Sequence, residues 1–526
     1  MLDQKMISQE EYEAAVAEEL NYRPYEEYQQ EIKSTYSYFT DEVIKDVIND
    51  LMTEKGYSRL VAENMVYSGG LNIYATIDTK VQNALDEVWA NADNFPNTEK
   101  YGEIPQSAMV ITDKQGNIVG IAGGRGEKTA SLTLNRATDT TRQPGSTFKI
   151  VSTYAPALNE KGMTLATTFE DEPYEYPDGS PVNNATRSYN GTTTIRTAIQ
   201  NSINVVAVKC LEKVTPELGL KYLDNFGFTT LAHGTEADKD ANGNVWSDAN
   251  LATALGGITR GVTNVELCAS YAAIANGGNY IKPIYYTKIL DHNGNVLIEN
   301  TAAERSVIKE STAFLLTSAM EDVVKQGTGT ACQLDNMPVA GKTGTTEAYN
   351  DLWFVGYTPY YTCAVWSGYD NNEKLPDYAR NFHKALWKKV MTRIHEGLPS
   401  KEFEKPASVE KLSVCEETGL LPRAGCPVIT EYFDVGTMPT EYCDQHFYDS
   451  DDYDYNYDTD SSDQTDNTTD TDNSENSNNG DTDNSGDSNN TDDNGNSGDD
   501  GTDNTGGSDD NGDGNEDDSS YQVDYY

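Results

Sequence analysis

The chain is poor in several things that specialised binding proteins need. No run of 18 or more apolar residues occurs, which excludes a membrane-spanning helix within it. Basic residues are scarce: 38 Lys and Arg stand against 86 Asp and Glu, so the positive face required for nucleic-acid binding is missing. Histidine is rarer still, with five in 526 residues. The paired C-x2-C knuckle of common zinc modules is absent, and the acidic residues show no EF-hand spacing for calcium. The N-terminus, Met1-Leu-Asp-Gln-Lys-Met-Ile, lacks the basic start and apolar centre of an export signal.

The formal charge of −48 is unevenly spread. Residues 449–526 hold 26 acidic and no basic residues, leaving −22 on the first 448. That tail of Asp, Asn, Ser, Gly and Thr has too little apolar surface to offset the entropy of ordering its backbone, so it is expected to be a disordered, solvated spacer. Seven cysteines are thinly scattered. Cys210, Cys268, Cys332 and Cys363 sit singly among apolar neighbours and read as small buried hydrophobes. Cys415, Cys426 and Cys443 cluster late, with His446 close behind. Their spacing is compatible with a zinc site or with one disulfide and a spare thiol. The expectation is that no metal is bound.

Five segments follow from the pattern: helices over 1–68, an inter-domain linker strand and helix over 69–105, a main domain over 106–400, a small cysteine-bearing segment over 401–448, and the tail over 449–526. Ser8-Gln-Glu-Glu11 is a capping box opening a helix from Glu10 to about Glu19, and Asp41 is a candidate cap for a second helix with Val43, Ile44, Val47, Ile48 and Leu51 on one side. Leu71–Asp78 alternates as a strand, and a helix is expected from Thr79 to about Ala92. Ala108–Thr112 and Ile118–Ala122 form a hairpin around Asp113-Lys-Gln-Gly116. Further strand-like runs are Tyr280–Ile289, Leu352–Tyr357 and Tyr361–Trp366. Strands at both ends of a helical middle indicate an α+β fold with an antiparallel sheet.

Three polar signatures carry the chemistry: Ser146-Thr-Phe-Lys149, Ser202-Ile-Asn204 and Lys342-Thr-Gly-Thr345. In that order they match the S-x-x-K, S-x-N and K-T-G trio of serine acyl-transfer enzymes. Each is weak alone, and Ser306-Val-Ile-Lys309 also satisfies S-x-x-K. Ser146 follows Gln143-Pro-Gly145, a turn into a helix whose N–H groups favour developing negative charge. Lys149, three residues on, is within reach as a base if burial and a neighbouring cation lower its pKa. Lys342 could be that cation. Ser202 can relay a proton to a leaving amine, and the Asn204 amide can orient Lys149 and hold substrate backbone. The hydroxyls of Thr343 and Thr345, with Lys342, suit a terminal carboxylate. Gly344 would let a ligand approach the backbone of an edge strand. The N–H groups of Ser146 and Thr345 would form an oxyanion hole.

On these residues, with Asn135-Arg-Ala-Thr138, Arg142-Gln-Pro-Gly145, Gly256-Gly257, Gly261-Val-Thr263, Ala275-Asn-Gly-Gly278, Gly327-Thr-Gly-Thr330 and Asp351–Pro359, the chain resembles the transpeptidase half of a class A, bifunctional penicillin-binding protein. The resemblance covers roughly residues 69–395 and implies a five-stranded antiparallel sheet flanked by helices. It implies cross-linking of peptidoglycan stem peptides ending in D-Ala-D-Ala, inhibition by β-lactams, partnership with the cell-wall synthesis machinery and no cofactor. Residues 1–68 resemble the last helices of that family's glycosyltransferase domain, whose catalytic core and membrane anchor are not in this sequence. The expected location is therefore the extracellular face of the cytoplasmic membrane, with the anchor upstream. A β-lactamase, or a non-catalytic β-lactam sensor, remains an alternative at this stage.

Overall fold

In the computed structural model, the structure describes residues 2, 7–17, 35–100, 102–346 and 348–446. The expectation of a disordered tail over 449–526 lies outside the described residues.

Five strands build the central sheet: β1 (Gln106–Thr112), β2 (Ile118–Ala122), β3 (Ala340–Thr345), β4 (Asp351–Tyr357) and β5 (Thr362–Gly368). They run antiparallel in the order β3-β4-β5-β1-β2, so β3, which carries the Lys342 signature, is an edge. Side chains alternate between two apolar layers, as the twofold period of a strand requires. Met109, Ile111, Phe354, Cys363 and Val365 face helices Thr79–Ala90 and Phe382–His395 through Leu85, Val88, Trp387 and Val390. Ala108, Val110, Trp353, Val355 and Trp366 face the other way, into the larger core with Phe148, Tyr271, Leu316 and Met320. A sheet covered on both faces explains why β4 and β5 are buried along their whole length.

Three local expectations need correction. Tyr280–Ile289 is not one strand of the main sheet. It divides into Asn279–Ile281, paired with Glu304–Ser306, and Tyr286–Leu290, which lies between Asn72–Ala75 and Val296–Glu299. Pro283 stands in the gap, where it can offer no N–H to a ladder. Asp41 does not cap its helix: Ser37 caps Tyr38–Thr53, and Asp41 is buried inside it, accepting from the Leu132 amide and pairing with Lys128. Helix Thr79–Ala90 is no mere connector, because it covers one face of the sheet. The Ser8–Glu11 capping box is present, each residue's side chain bonding the other's amide.

Helix Tyr38–Thr53 docks on the segment that leads into the first signature. Glu42 accepts from the Asn135 side chain at 3.0 Å, and Lys45 bridges Glu42 and Asp139 at 2.8 and 2.9 Å. Residues 409–434 form a two-stranded hairpin, Val409–Cys415 with Val428–Asp434. Glu431 on its second strand is clamped by Arg196, which also pairs with Asp322 at 2.6 Å.

Candidate active site

The first signature sits on a helical run that changes pitch. Gly145–Thr147 is a 3₁₀ turn, Lys149–Tyr154 is π-helical, with the Ala155 amide reaching back five residues to the Ile150 carbonyl, and Ala155–Asn159 is α-helical. Such wide turns are rare and recur at functional sites. Here the wide turn begins at Lys149 itself.

Backbone packing fixes the turn that carries Ser146. Gly145 has φ of +55°, and a Cβ there would lie 2.8–3.0 Å from the Thr345 backbone. Gly256, at φ +82°, touches Gly145 from the other side: an added Cβ would meet its N and O at 2.5 Å. Arg142 and Val262 exchange backbone hydrogen bonds at 2.9–3.0 Å, while Tyr271 donates to the Thr147 carbonyl and Trp353 to that of Gln143. The motifs at Gly256-Gly257 and Gly261-Val-Thr263 thus hold the nucleophile turn against edge strand β3.

Gly344 does a different job from the one expected. Its missing side chain makes room for the Pro144 carbonyl, 2.5 Å from where a Cβ would be, and for the Thr147 methyl at 2.8 Å. The glycine serves strand-to-turn packing rather than ligand access. Thr343 and Thr345, on the alternate face of β3, are half-buried and exposed respectively, and the Thr343 hydroxyl bonds that of Thr328 at 2.7 Å.

The second signature occupies a break between helices Ile195–Asn201 and Asn204–Val214. Ser202 closes the first in the left-handed region, φ +56°, a conformation that a non-glycine residue adopts only under tertiary constraint. Both side chains of the signature point at Lys149. Its Nζ donates to Asn204 Oδ1 at 2.6 Å, to the Ser202 carbonyl at 2.7 Å and to Ser202 Oγ at 3.2 Å. Lys342 Nζ donates to the same Ser202 Oγ at 2.8 Å, so this hydroxyl bridges the two lysines.

Burial sorts the groups. Lys149 and Lys342 are both fully buried, whereas Ser146, Ser202 and Asn204 are partly exposed. Among the described residues no carboxylate bonds either lysine. Burial, and secondarily the Lys342 charge, holds the Lys149 ammonium well below its ordinary pKa. Burial alone brings Lys342 down to about 7. Four of the five expected catalytic side chains are therefore directly linked. Ser146 lies on the adjoining turn, and among the described residues its hydroxyl makes no hydrogen bond. Catalytic bonds commonly tighten only when substrate binds. The Thr345 backbone lies against the Gly145 Cα, where the expected oxyanion donors would flank a bound carbonyl.

Sequence reasoning missed the supports. Asn204 donates its side-chain amide to the Asn183 carbonyl at 2.6 Å and its backbone N–H to Asn184 Oδ1 at 2.9 Å. Asn184 is in turn held by Asp171 at 2.7 Å. Asn183 and Asn184 lie in a loop without regular spacing, and Asp171 ends the strand Thr168–Asp171, so no local pattern joins them. The decoy Ser306–Lys309 stays outside the cluster: both residues are exposed, and Lys309 precedes helix Glu310–Lys325.

Comparison with known proteins agrees with this geometry. The family described as penicillin binding protein transpeptidase domain matches residues 106–392, and the penicillin-binding protein 1A C-terminal domain matches 405–448. A penicillin-binding protein 1A of Clostridium tetani is 34% identical over 435 residues, covering 78% of this chain and 54% of that protein. The chain spans about half the length of the curated relatives it matches. The crystal structure of penicillin-binding protein 1A from Haemophilus influenzae superposes with a TM-score of 0.63 at 20% identity, covering 84% of this chain and 81% of that one. A Mycobacterium tuberculosis structure in complex with penicillin V gives 0.60 at 23% identity, covering 70% and 96%. At these identities the structural matches establish the α+β fold.

Proposed function

Because the chain belongs to the penicillin-binding protein transpeptidase family, with a serine-type catalytic domain homologous to those of penicillin-binding protein 1A, we propose that it cross-links peptidoglycan stem peptides ending in D-Ala-D-Ala. The observation that carries this reading is the Lys149–Ser202–Lys342 bridge beside the Ser146 turn, two buried amines sharing one hydroxyl with no acid among the described residues to neutralise them.

Neutral Lys149 has two N–H bonds, satisfied by the Ser202 carbonyl and Asn204, and one lone pair. That lone pair takes the Ser146 proton as Oγ attacks the carbonyl between the two D-alanines. The tetrahedral oxyanion rests on the amides of Ser146 and Thr345. The C–N bond then breaks, and D-alanine leaves with a proton passed through Ser202. Thr343, Thr345 and Lys342 receive the terminal carboxylate. An amine of a second stem peptide attacks the ester, forming the cross-link and freeing Ser146. Attack by water instead gives carboxypeptidation. β-Lactams enter by the same first step and stay bound as esters. No metal or organic cofactor takes part. Among the described residues no helix is long and apolar enough to cross a membrane. The proposed location, the outer face of the cytoplasmic membrane beside the cell-wall synthesis machinery, follows from the substrate.

The test is incubation with a D-Ala-D-Ala-ended stem peptide and, separately, with benzylpenicillin. Release of D-alanine together with a long-lived penicillin adduct supports the transpeptidase. Rapid penicillin turnover would mean a β-lactamase, and an adduct without any D-alanine release would mean a sensor.

A further inference from the structure

The late cysteines converge. Among the described residues, Cys415 Sγ, Cys426 Sγ, Cys443 Sγ and a His446 ring nitrogen lie within 4.8 Å of one another. All three cysteines are free thiols, and Cys415 and Cys443 are fully buried. His446 Nδ1 stands 3.2 Å from Cys443 Sγ and 3.6 Å from Cys415 Sγ. Bonds of about 2.3 Å to sulfur and about 2.0 Å to nitrogen make the edges of a zinc tetrahedron roughly 3.5–3.8 Å long. The observed spacings need little closure to reach that figure.

We propose that Cys415, Cys426, Cys443 and His446 form a closed structural site for zinc(II), with three thiolates and one imidazole as donors. On binding, the three thiols release their protons to solvent and the metal takes three sulfurs and Nδ1. His446 remains neutral, its other ring nitrogen, Nε2, bearing the hydrogen. That nitrogen faces Glu417 at 3.2 Å, the carboxylate–histidine arrangement that fixes tautomer and orientation in zinc sites. The Cys426 sulfur already accepts the Arg423 amide at 3.2 Å.

The backbone delivers these donors independently of any metal. Cys415 ends the first strand of the hairpin, and Cys426 lies two residues before the second strand begins at Val428. Cys443 is brought alongside by its amide, which bonds the Leu421 carbonyl at 2.8 Å, while the Leu421 amide bonds Glu441 at 2.9 Å. Gly419, at φ +70°, presses this end against the Ala166 carbonyl, which a Cβ would meet at 2.5 Å.

At its cysteine-bearing end the hairpin has a small buried apolar cluster, Ala166, Val414 and Phe433, with Leu412, Ile429 and Met438 partly buried against it, and Ala166 belongs to the main domain. Modules this small usually rely on disulfides or a metal. A disulfide would use two of the sulfurs and leave the third beside His446 without a function. A metal uses all four groups. The sequence alone had favoured no metal, because the spacing lacks a C-x2-C pair. The fold supplies the convergence that spacing could not show.

The test uses the full chain, purified under reducing conditions, equilibrated with buffered zinc and desalted. Elemental analysis is expected to find one zinc per chain. Cobalt(II) substitution should give the intense thiolate-to-metal charge-transfer and tetrahedral d–d bands of a Cys3His site. C426S, which alters the most accessible sulfur, should lose those bands, and E417Q should weaken zinc about 10-fold or more. Zinc below a tenth of an equivalent with all thiols free would overturn the proposal. So would an intact mass lighter by two hydrogens with a Cys415–Cys426 or Cys426–Cys443 bridge, or cobalt bands that survive in both C426S and H446A.

Discussion

Helix Ile195–Asn201 has a cation shielded from solvent near each end, partly at Arg196 and fully at Lys149, and the two are handled in opposite ways. Near its start, Arg196 is clamped in a fork by Glu431, with Asp322 on its remaining side, all at 2.6 Å. Burial works against that charge, yet the two carboxylates hold the guanidinium above its usual pKa. At its far end, Ser202 and the adjoining Asn204 receive Lys149 and Lys342 with neutral oxygens only. There burial wins, and both amines are driven towards the neutral form. A paired, partly buried cation ties the C-terminal hairpin to the main domain. An unpaired, fully buried amine is suited to the base role proposed for Lys149.

The largest effect is expected from removing the proposed nucleophile, Ser146, beside the unpaired end. S146A should abolish labelling by fluorescent penicillin and D-alanine release, a loss of about 10⁴-fold or more, while the protein stays folded by circular dichroism. Retained labelling would move the nucleophile elsewhere. K149M keeps the length of the chain and removes the base. Acylation measured by stopped flow should fall about 10²–10⁴-fold, with a smaller loss of stability than at the paired end, because hydrogen bonds to Ser202 and Asn204 are lost but no ion pair is broken.

At the paired end the same kind of change should act on stability instead. R196M leaves Glu431, which is 2% exposed, without a counter-charge. Breaking such a pair costs about 3–5 kcal/mol, to be read as a lower urea midpoint, with the folded fraction still acylating near the wild-type rate. If R196M acylates as poorly as K149M at full stability, the contrast between the two ends is wrong.

The division between ends was only partly legible in the sequence. The residues of β1, β2, β4 and β5 advertise themselves as short, nearly continuous apolar runs, and the five cleft residues by three short spacings in one order. Tyr280–Ile289 misled because a single proline inside an apolar run decides pairing, and a pattern count averages over it. Gly344 was assigned correctly to the edge strand but for the wrong reason, since only coordinates reveal that the Pro144 carbonyl occupies its open side. Arg196, Asp322 and Glu431 are separated by more than 100 residues in sequence, and the support of Asn204 joins a strand end, Asp171, to an irregular loop at Asn184. Ionic partners at such distances leave no local trace.

A smaller effect distinguishes Lys342 from Arg196 through pH. Its pKa falls from 10.5 to about 7 on burial, so the unfolded chain binds the proton more tightly. The stability contributed by this site is greatest above pH 10.5 and is lost as pH falls to about 7. K342M should therefore melt at a higher temperature than wild type at pH 7, and the gap should close above pH 10.5. A gap that widens with pH would have the wrong sign.

The most direct measurement of the central claim is the pH dependence of the acylation rate constant with benzylpenicillin, in wild type and in K342M. If the unpaired, buried Lys149 is the base, the wild-type rate rises on a limb well below the ordinary lysine range. In K342M, which lacks the neighbouring charge that helps lower Lys149, that limb moves to higher pH. A limb at 10.5 in wild type, unchanged in K342M, would contradict the account.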